Sequence, residues 1–95
     1  MYVQVVVSYD IANTKMRNKL FEELKDLGLK PIQKSVFWGY LLPSQKRIVK
    51  LLFEKYCDIK QDKAFLTNAI IDKNLDDTFG YEKQDFNHPE GFEII

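Results

Sequence analysis

Strands are predicted where β-branched and aromatic residues dominate the chain. Residues 2–9 (YVQVVVSY) are rich in Val and Tyr, which predicts a buried strand that ends at Asp10. Residues 64–71 (AFLTNAII) predict a further strand late in the chain. The near-continuous apolarity of the first segment indicates a central strand that is covered on at least one face.

The middle of the chain is also strand-like, but it is too long for one strand. Residues 29–42 (LKPIQKSVFWGYLL) exceed the usual strand length, so we expect two strands joined by a turn. The turn is expected near Lys34 and Ser35, with Gly39 as the alternative break point or bulge.

Two other segments have apolar residues at helical spacing. The first follows the helix-capping residues Asn13 and Thr14 and closes at Gly28; its apolar stripe is Met16, Leu20, Phe21, Leu24 and Leu27. The second opens at Pro43 and Ser44; its stripe is Ile48, Val49, Leu52, Phe53 and Tyr56.

The element order is therefore β-α-β-β-α-β, which predicts an α+β fold with both helices on one face of a four-stranded antiparallel sheet. This is the ferredoxin-like sandwich, and we assign it to residues 1–71. Some apolar strand residues must face away from the helices, so we expect two copies to pair sheet against sheet as a homodimer. Residues 72–95 form an acidic C-terminal extension with a short final strand at 92–95, expected to contribute to dimer or partner contacts.

Composition limits the possibilities further. The chain has 95 residues, 45% of them hydrophobic and 29% charged, which is typical of one globular domain. We find neither a signal peptide nor an apolar run of membrane-spanning length, and we expect a cytoplasmic protein with no membrane contact. The single Cys57 excludes an internal disulfide, and the lone His88 gives no metal-binding pattern.

The formal net charge of zero conceals a split between the two halves. Residues 1–50 carry a net charge of +5 and residues 51–95 a net charge of −5. Lys15, Arg17 and Lys19 open the first helix, where they either form a surface for a polyanion or belong to a mixed, solvated surface. A cation this close to a helix N-terminus opposes the helix dipole, so Arg17 should contact either a phosphate or a carboxylate.

Asp10 is the strongest single candidate for chemistry. It follows a buried strand directly, either as an ordinary loop aspartate or as a metal ligand. One carboxylate makes a poor Mg²⁺ site, but two copies of Asp10 facing each other across a dimer axis would make a water-rich one. Such a cation can hold a phosphate and activate water.

Several of these residues together resemble a known family. They are Tyr9-Asp10-Ile11, then Arg17-Asn18-Lys19-Leu20 in a helix closed by Leu27-Gly28, then Gln33-x-Ser35-Val36-Phe37-x-Gly39. This combination resembles CRISPR-associated protein two, the small subunit of the CRISPR adaptation complex. The resemblance covers residues 1–57 closely and residues 58–71 in pattern only, and the extension departs from it.

The resemblance implies a homodimer that takes part in spacer acquisition. It would bind duplex prespacer DNA and bridge dimers of the CRISPR integrase. Several members are also described as metal-dependent endonucleases on single-stranded RNA or double-stranded DNA, which implies Asp10 as the catalytic, Mg²⁺-binding residue. Arg17 and Phe37 match further positions implicated there, and Tyr9 and Phe37 are expected to support the site.

Other functions remain open on the sequence. A ferredoxin-like toxin-type ribonuclease independent of CRISPR shares the expected fold, and so does a ligand-binding regulatory module. A scaffold that only binds duplex DNA would not need Asp10, whereas a nuclease would need it.

Overall fold

The computed structural model describes residues 1–87 as a four-stranded sheet covered on one face by two helices. The sheet order is β2-β3-β1-β4 with every neighbouring pair antiparallel, which confirms the predicted ferredoxin-like fold. In chain order the elements are β1 (Val3–Asp10), α1 (Thr14–Asp26), β2 (Lys30–Gln33), β3 (Val36–Leu41), α2 (Pro43–Tyr56), β4 (Lys63–Asn68) and a short 3-10 helix (Lys83–Phe86).

The helix ends follow the signals in the sequence. The Asn13 side chain accepts a hydrogen bond from the Met16 backbone N–H at 3.0 Å, as an N-cap residue does. Gly28 follows α1 with a φ of +92°, a left-handed conformation that favours glycine. Pro43 begins α2, and the Gln45 side chain accepts a hydrogen bond from the Leu42 N–H at 2.8 Å.

The turn between β2 and β3 falls at Lys34 and Ser35, as predicted. The alternative break at Gly39 is wrong, because Gly39 is regularly paired with Val5 inside β3. A Cβ atom at Gly39 would lie 2.8 Å from the Cδ2 atom of Leu29, so a larger residue at this position would have to displace the Leu29 side chain. The irregularity in pairing lies in β2, between Pro31 and Gln33.

The core lies between the helices and the inward-facing strand residues. Val5, Val7 and Tyr9 of β1 alternate into it, and Phe37 of β3 lies opposite Val7. From the helices, the residues buried in the core are Leu20, Leu24, Val49 and Leu52. Ile48 is exposed, so the predicted apolar stripe of α2 is narrower than the sequence indicated.

The other sheet face is partly covered by residues 69–87, which we call the strap. β4 ends at Asn68, earlier than the predicted residue 71, because the Gln4 side chain accepts a hydrogen bond from the Ile71 N–H at 2.8 Å and turns the chain away. The Phe86 ring packs edge-on against Trp38 with ring centroids 5.1 Å apart. Trp38 is therefore only 3% exposed although it faces away from the helices.

The strap covers the β2–β3 side of this outer face. The Tyr81 hydroxyl donates to the Ile32 carbonyl at 3.1 Å, and the Lys30 ammonium donates to the Gln84 carbonyl at 2.9 Å. On the β1–β4 side, Phe65 is 54% exposed. The expected apolar outer face thus exists, but part of it packs against the same chain.

Some expectations fall beyond the described residues. The final strand at 92–95 and His88 lie outside them. The role of residues 72–95 in dimer or partner contacts stays a prediction. Within residues 1–87, neither helix has the length and apolarity needed to cross a membrane.

Candidate nuclease site

Asp10 is the last residue of β1, and its side chain is exposed. It belongs to the outward-facing series of this strand, because its neighbour Tyr9 points into the core. Lys63 lies directly opposite Asp10 in the β1–β4 pairing, and such pairs have Cβ atoms about 4.5–5.5 Å apart. The carboxylate is thus open to solvent at the end of a rigid strand, with an ammonium group on the neighbouring strand.

Two side chains hold the loop that follows Asp10. The Arg17 guanidinium donates to the Ile11 carbonyl at 3.0 Å and to the Thr14 hydroxyl at 3.2 Å. From the other side of the loop, the Asp62 carboxylate accepts the Ala12 N–H at 3.0 Å. Arg17, predicted to bind nucleic acid, therefore also fixes the backbone next to Asp10.

Asp62 is a residue that sequence reasoning missed. Its second carboxylate oxygen accepts the Asp58 N–H at 2.8 Å, so one side chain joins the β1–α1 loop to the α2–β4 loop. In the sequence, Asp62 is one of several polar residues between the second helix and the last strand of the predicted fold. A contact between residues 12 and 62 leaves no local signal, so only the topology could reveal it.

A cavity of about 650 Å³ opens beside Asp10. It lies between the end of β1, the first turns of α1 and the β2–β3 turn, which is tied to β1 by a hydrogen bond from the Tyr9 N–H to the Ser35 carbonyl at 3.1 Å. Its lining combines apolar surface with polar side chains of mixed charge: Tyr9, Asp10, Ile11, Arg17, Asn18, Phe21, Glu22, Lys34 and Ser35.

Tyr9 and Phe37, the predicted supporting residues, are both in the core. Phe37 is fully buried, with its ring centroid 5.1 Å from that of Phe21 and 6.2 Å from that of Tyr9. It packs beneath the site. Tyr9 is 4% exposed but reaches the cavity wall, and burial raises the pKa of its hydroxyl while the nearby Arg17 charge lowers it.

Lys15 and Lys19 lie in a different depression, between the exposed sides of α1 and α2. Glu22 and Glu23 share it, and Glu23 accepts a hydrogen bond from the Tyr56 hydroxyl at 2.7 Å. Of the three predicted basic residues, only Arg17 lines the cavity beside Asp10. The other two face away from it on the helical side of the molecule.

The side chains around Asp10 limit how Mg²⁺ could be held. Among residues 1–87 there is no cluster of three or more His, Cys, Asp or Glu side chains that could hold a metal. Mg²⁺ keeps several waters and commonly uses only one or two protein carboxylates, so an exposed Asp10 fits it as a single ligand. Glu22 is the other carboxylate in the lining of the cavity beside Asp10 among residues 1–87.

Comparison with known proteins gives consistent matches. The family model described as CRISPR associated protein Cas2 matches residues 1–79. The CRISPR-associated endoribonuclease Cas2 1 of Francisella tularensis subsp. novicida is 37% identical over 84 residues, covering 87% of this chain and 86% of that protein. The CRISPR-associated endoribonuclease Cas2 2 of Pyrobaculum aerophilum is 40% identical over 75 residues, covering 78% and 79%.

The fold also matches solved structures. The crystal structure of Streptococcus pyogenes Cas2 has a TM-score of 0.67 against this chain, at 24% sequence identity. The match covers 81% of this chain and 99% of that one. At this identity the likeness concerns the fold alone.

Proposed function

The chain belongs to the Cas2 family, and from that premise we propose that it is a metal-dependent endoribonuclease that acts at Asp10. The observation that carries the proposal is the exposed Asp10 carboxylate, held at a strand end beside a cavity that contains Arg17 and Lys34. The curated relatives bear the name endoribonuclease, which favours RNA over DNA as the substrate.

In phosphodiester hydrolysis, different residues of the chain would bind the metal, contact the phosphates and position the loop. Asp10 would hold Mg²⁺, which when bound supplies charge for the phosphate oxygens and lowers the pKa of a water. Arg17 and Lys34 present cations to the substrate phosphates, and a guanidinium suits a phosphate because it offers several N–H donors. Asp62 and Arg17 keep the loop after Asp10 in place, which preserves the distance between the carboxylate and the phosphate.

A second copy of the chain would complete the site. Each chain carries Asp10 at the end of β1, and the β1–β4 side of the outer face carries the exposed Phe65, which pairs with Ser8 two residues before Asp10. Pairing through this side would bury Phe65 and bring a second Asp10 nearby. Phe65→Glu should therefore give a monomer by light scattering and lose cleavage together with dimerisation; a dimeric Phe65→Glu protein would contradict this interface.

The test of catalysis is cleavage of a single-stranded RNA with and without Mg²⁺. Asp10→Asn keeps the size of the side chain and removes its charge, so it should abolish cleavage. Asp26→Asn is the matched control, because Asp26 is an exposed carboxylate at the opposite end of α1. Cleavage that persists in Asp10→Asn, or in excess EDTA, would contradict the proposal, and a DNA substrate run in parallel tests the choice of RNA.

The position of Lys15 and Lys19 favours a second role, in CRISPR adaptation. These lysines lie on the helical side of the molecule, away from the outer sheet face, so a duplex could bind there while two copies pair through their sheets. This would allow the chain to hold prespacer DNA and to bridge dimers of the CRISPR integrase. Glu22 and Glu23 in the same depression weaken the positive potential, so contacts should be few.

Duplex binding is tested by its salt dependence. Each lost phosphate contact should reduce the slope of log affinity against log salt by about 0.9. The double variant Lys15→Glu and Lys19→Glu should reduce this slope and impair prespacer integration by the cognate integrase. The control is Lys73→Glu with Lys83→Glu, the same charge change on the strap. Equal loss in both double variants would mean that only net charge matters and would remove this role for the two α1 lysines.

A further inference from the structure

The solvent-facing side of α2 carries two apolar side chains that the core does not use. Leu51 is 62% exposed, and Ile48, three residues before it, is exposed as well. Arg47 and Lys55 lie one helical turn before and one turn after Leu51, on the same side of the helix. Exposed apolar residues that stand alone are common, but neighbouring ones bordered by charges mark interaction surfaces. We call these four residues the α2 patch.

The strap presents the opposite charge around another exposed apolar residue. Phe79 is 97% exposed, and it follows closely on the exposed carboxylates of Asp76 and Asp77. A turn holds this segment in place, because the Thr78 hydroxyl and the Thr78 backbone N–H both donate to the Leu75 carbonyl, at 2.7 and 3.2 Å. We call Asp76, Asp77 and Phe79 the strap tip.

The two surfaces are complementary in charge. α2 contains four lysine and arginine residues and one glutamate, for a net charge of +3. The strap contains five carboxylates and two lysines, for a net charge of −3. Electrostatic attraction therefore favours contact between α2 and the strap, whereas it opposes contact between two straps.

The two surfaces cannot meet within one chain. α2 packs on the core face of the sheet, and the strap lies on the outer face, where Leu75 shares a cavity wall with Trp38. The sheet separates them, so the strap tip can reach an α2 patch only on a second copy.

We propose that the strap tip of one copy binds the α2 patch of another, with the Phe79 ring against Leu51 and the carboxylates facing the cations. This contact joins two different surfaces, so it is heterologous. The sheet-to-sheet pairing through Phe65 joins the same surface of both copies, and it can form independently. Because the α2 patch and the strap tip lie on opposite faces of the molecule, the new contact would join copies head to tail. The inference goes beyond the proposed function and does not depend on it.

A protein surface suits the α2 patch better than nucleic acid does. Phosphates are bound by cations alone and gain nothing from Ile48 and Leu51. Protein interfaces combine apolar and aromatic side chains at their centre with charged groups at their rim, which is the arrangement of both surfaces here. A duplex remains the other occupant that the experiment has to test.

The association is measured by sedimentation velocity of the full chain over a range of concentrations. So small an interface belongs to the weak, transient class, so we expect growth of the mean mass with concentration up to about 100 µM. The growth should be clear at an ionic strength of about 0.05 M and largely lost at about 0.5 M, because salt screens exposed charges.

Two variants remove one surface each. Leu51→Glu and Phe79→Lys delete the apolar anchor and place a like charge opposite the partner surface, so each should weaken the association about tenfold or more. Both side chains are exposed, so the thermal midpoint should stay the same. Ile59→Glu is the matched control for Leu51→Glu: Ile59 is an exposed apolar residue in the loop after α2, outside the patch, and this variant should associate as the wild type does.

A mixture of the two variants tests whether the contact is heterologous. Leu51→Glu keeps an intact strap tip, and Phe79→Lys keeps an intact α2 patch. The mixture should therefore associate although neither variant does so alone, which a contact between identical surfaces would not allow.

Several results would overturn the inference. One is a wild-type mass that does not depend on concentration at low salt, and another is a mixture of the two variants that fails to associate. Equal weakening by Ile59→Glu would mean that only net charge matters. If Leu51→Glu associated as the wild type does but lost binding to duplex DNA, the α2 patch would be a nucleic-acid surface instead.

Discussion

We predict that Phe37 stabilises the core and does not contact the substrate. The family resemblance places this residue near the site, but its side chain is fully buried between Tyr9 and Phe21. Truncation of a buried Phe to Ala costs about 3–5 kcal/mol, a large part of the roughly 5–15 kcal/mol that stabilises a typical domain. At about 4–8 °C per kcal/mol for a chain of this size, Phe37→Ala should lower the thermal midpoint by roughly 12 °C or more.

The assay pairs thermal and urea unfolding with RNA cleavage for Phe37→Ala and Phe37→Leu. Protein concentration is held constant, because dimerisation would otherwise change the apparent stability. Phe37→Leu keeps an apolar side chain, so it should lose less stability and retain cleavage per folded molecule. A Phe37→Ala protein with wild-type unfolding free energy and no cleavage would refute this reasoning, since Phe37 would then act on the substrate.

Three further predictions follow from single contacts. Asp62→Ala should increase hydrogen exchange at the Ala12 amide and raise the Mg²⁺ concentration needed for cleavage, while Asp58→Ala, which leaves that bond intact, should do neither. Phe86→Ala should expose Trp38 and shift its fluorescence to longer wavelength. An unchanged spectrum would show that the strap stays in place without the Phe86 ring. Burial raises the pKa of Cys57, and the nearby Asp62 charge raises it further. Alkylation of Cys57 near pH 8 should therefore be slower than alkylation of free cysteine, and an equal rate would contradict this.

The fold could be predicted because its signals are local. The cap at Asn13, the left-handed Gly28 and the break near Lys34 each depend on neighbouring residues, and each appears where the sequence indicated. The near-continuous apolarity of residues 2–9 likewise indicated a central strand covered on at least one face, and β1 lies inside the sheet with Val5, Val7 and Tyr9 in the core. Together these signals determine the element order, and the order leaves few topologies.

The strap could not be predicted, because its contacts are distant in sequence. The Gln4 side chain accepts hydrogen bonds from the Trp38 indole N–H and the Ile71 backbone N–H, both at 2.8 Å. A single polar residue inside an apolar strand indicates a half-buried position, but it does not identify the partners. The expected end of β4 was wrong for the same reason: residues 69–71 are apolar enough to continue the strand, and a side chain on β1 diverts them.

At the candidate site, three residues depart from the usual preferences for burial and for position in a helix or strand. Tyr9 buries a hydroxyl without a partner, Arg17 places a cation in the first turns of a helix, and Asp10 ends a buried strand with an exposed carboxylate. Each is unfavourable or neutral for folding when taken alone. In most of a protein, local sequence preferences, core packing and polar contacts all favour the same structure. Exceptions to this agreement concentrate at functional sites. The three departures meet at one corner of the molecule, because Tyr9, Asp10 and Arg17 all line the cavity at the end of β1.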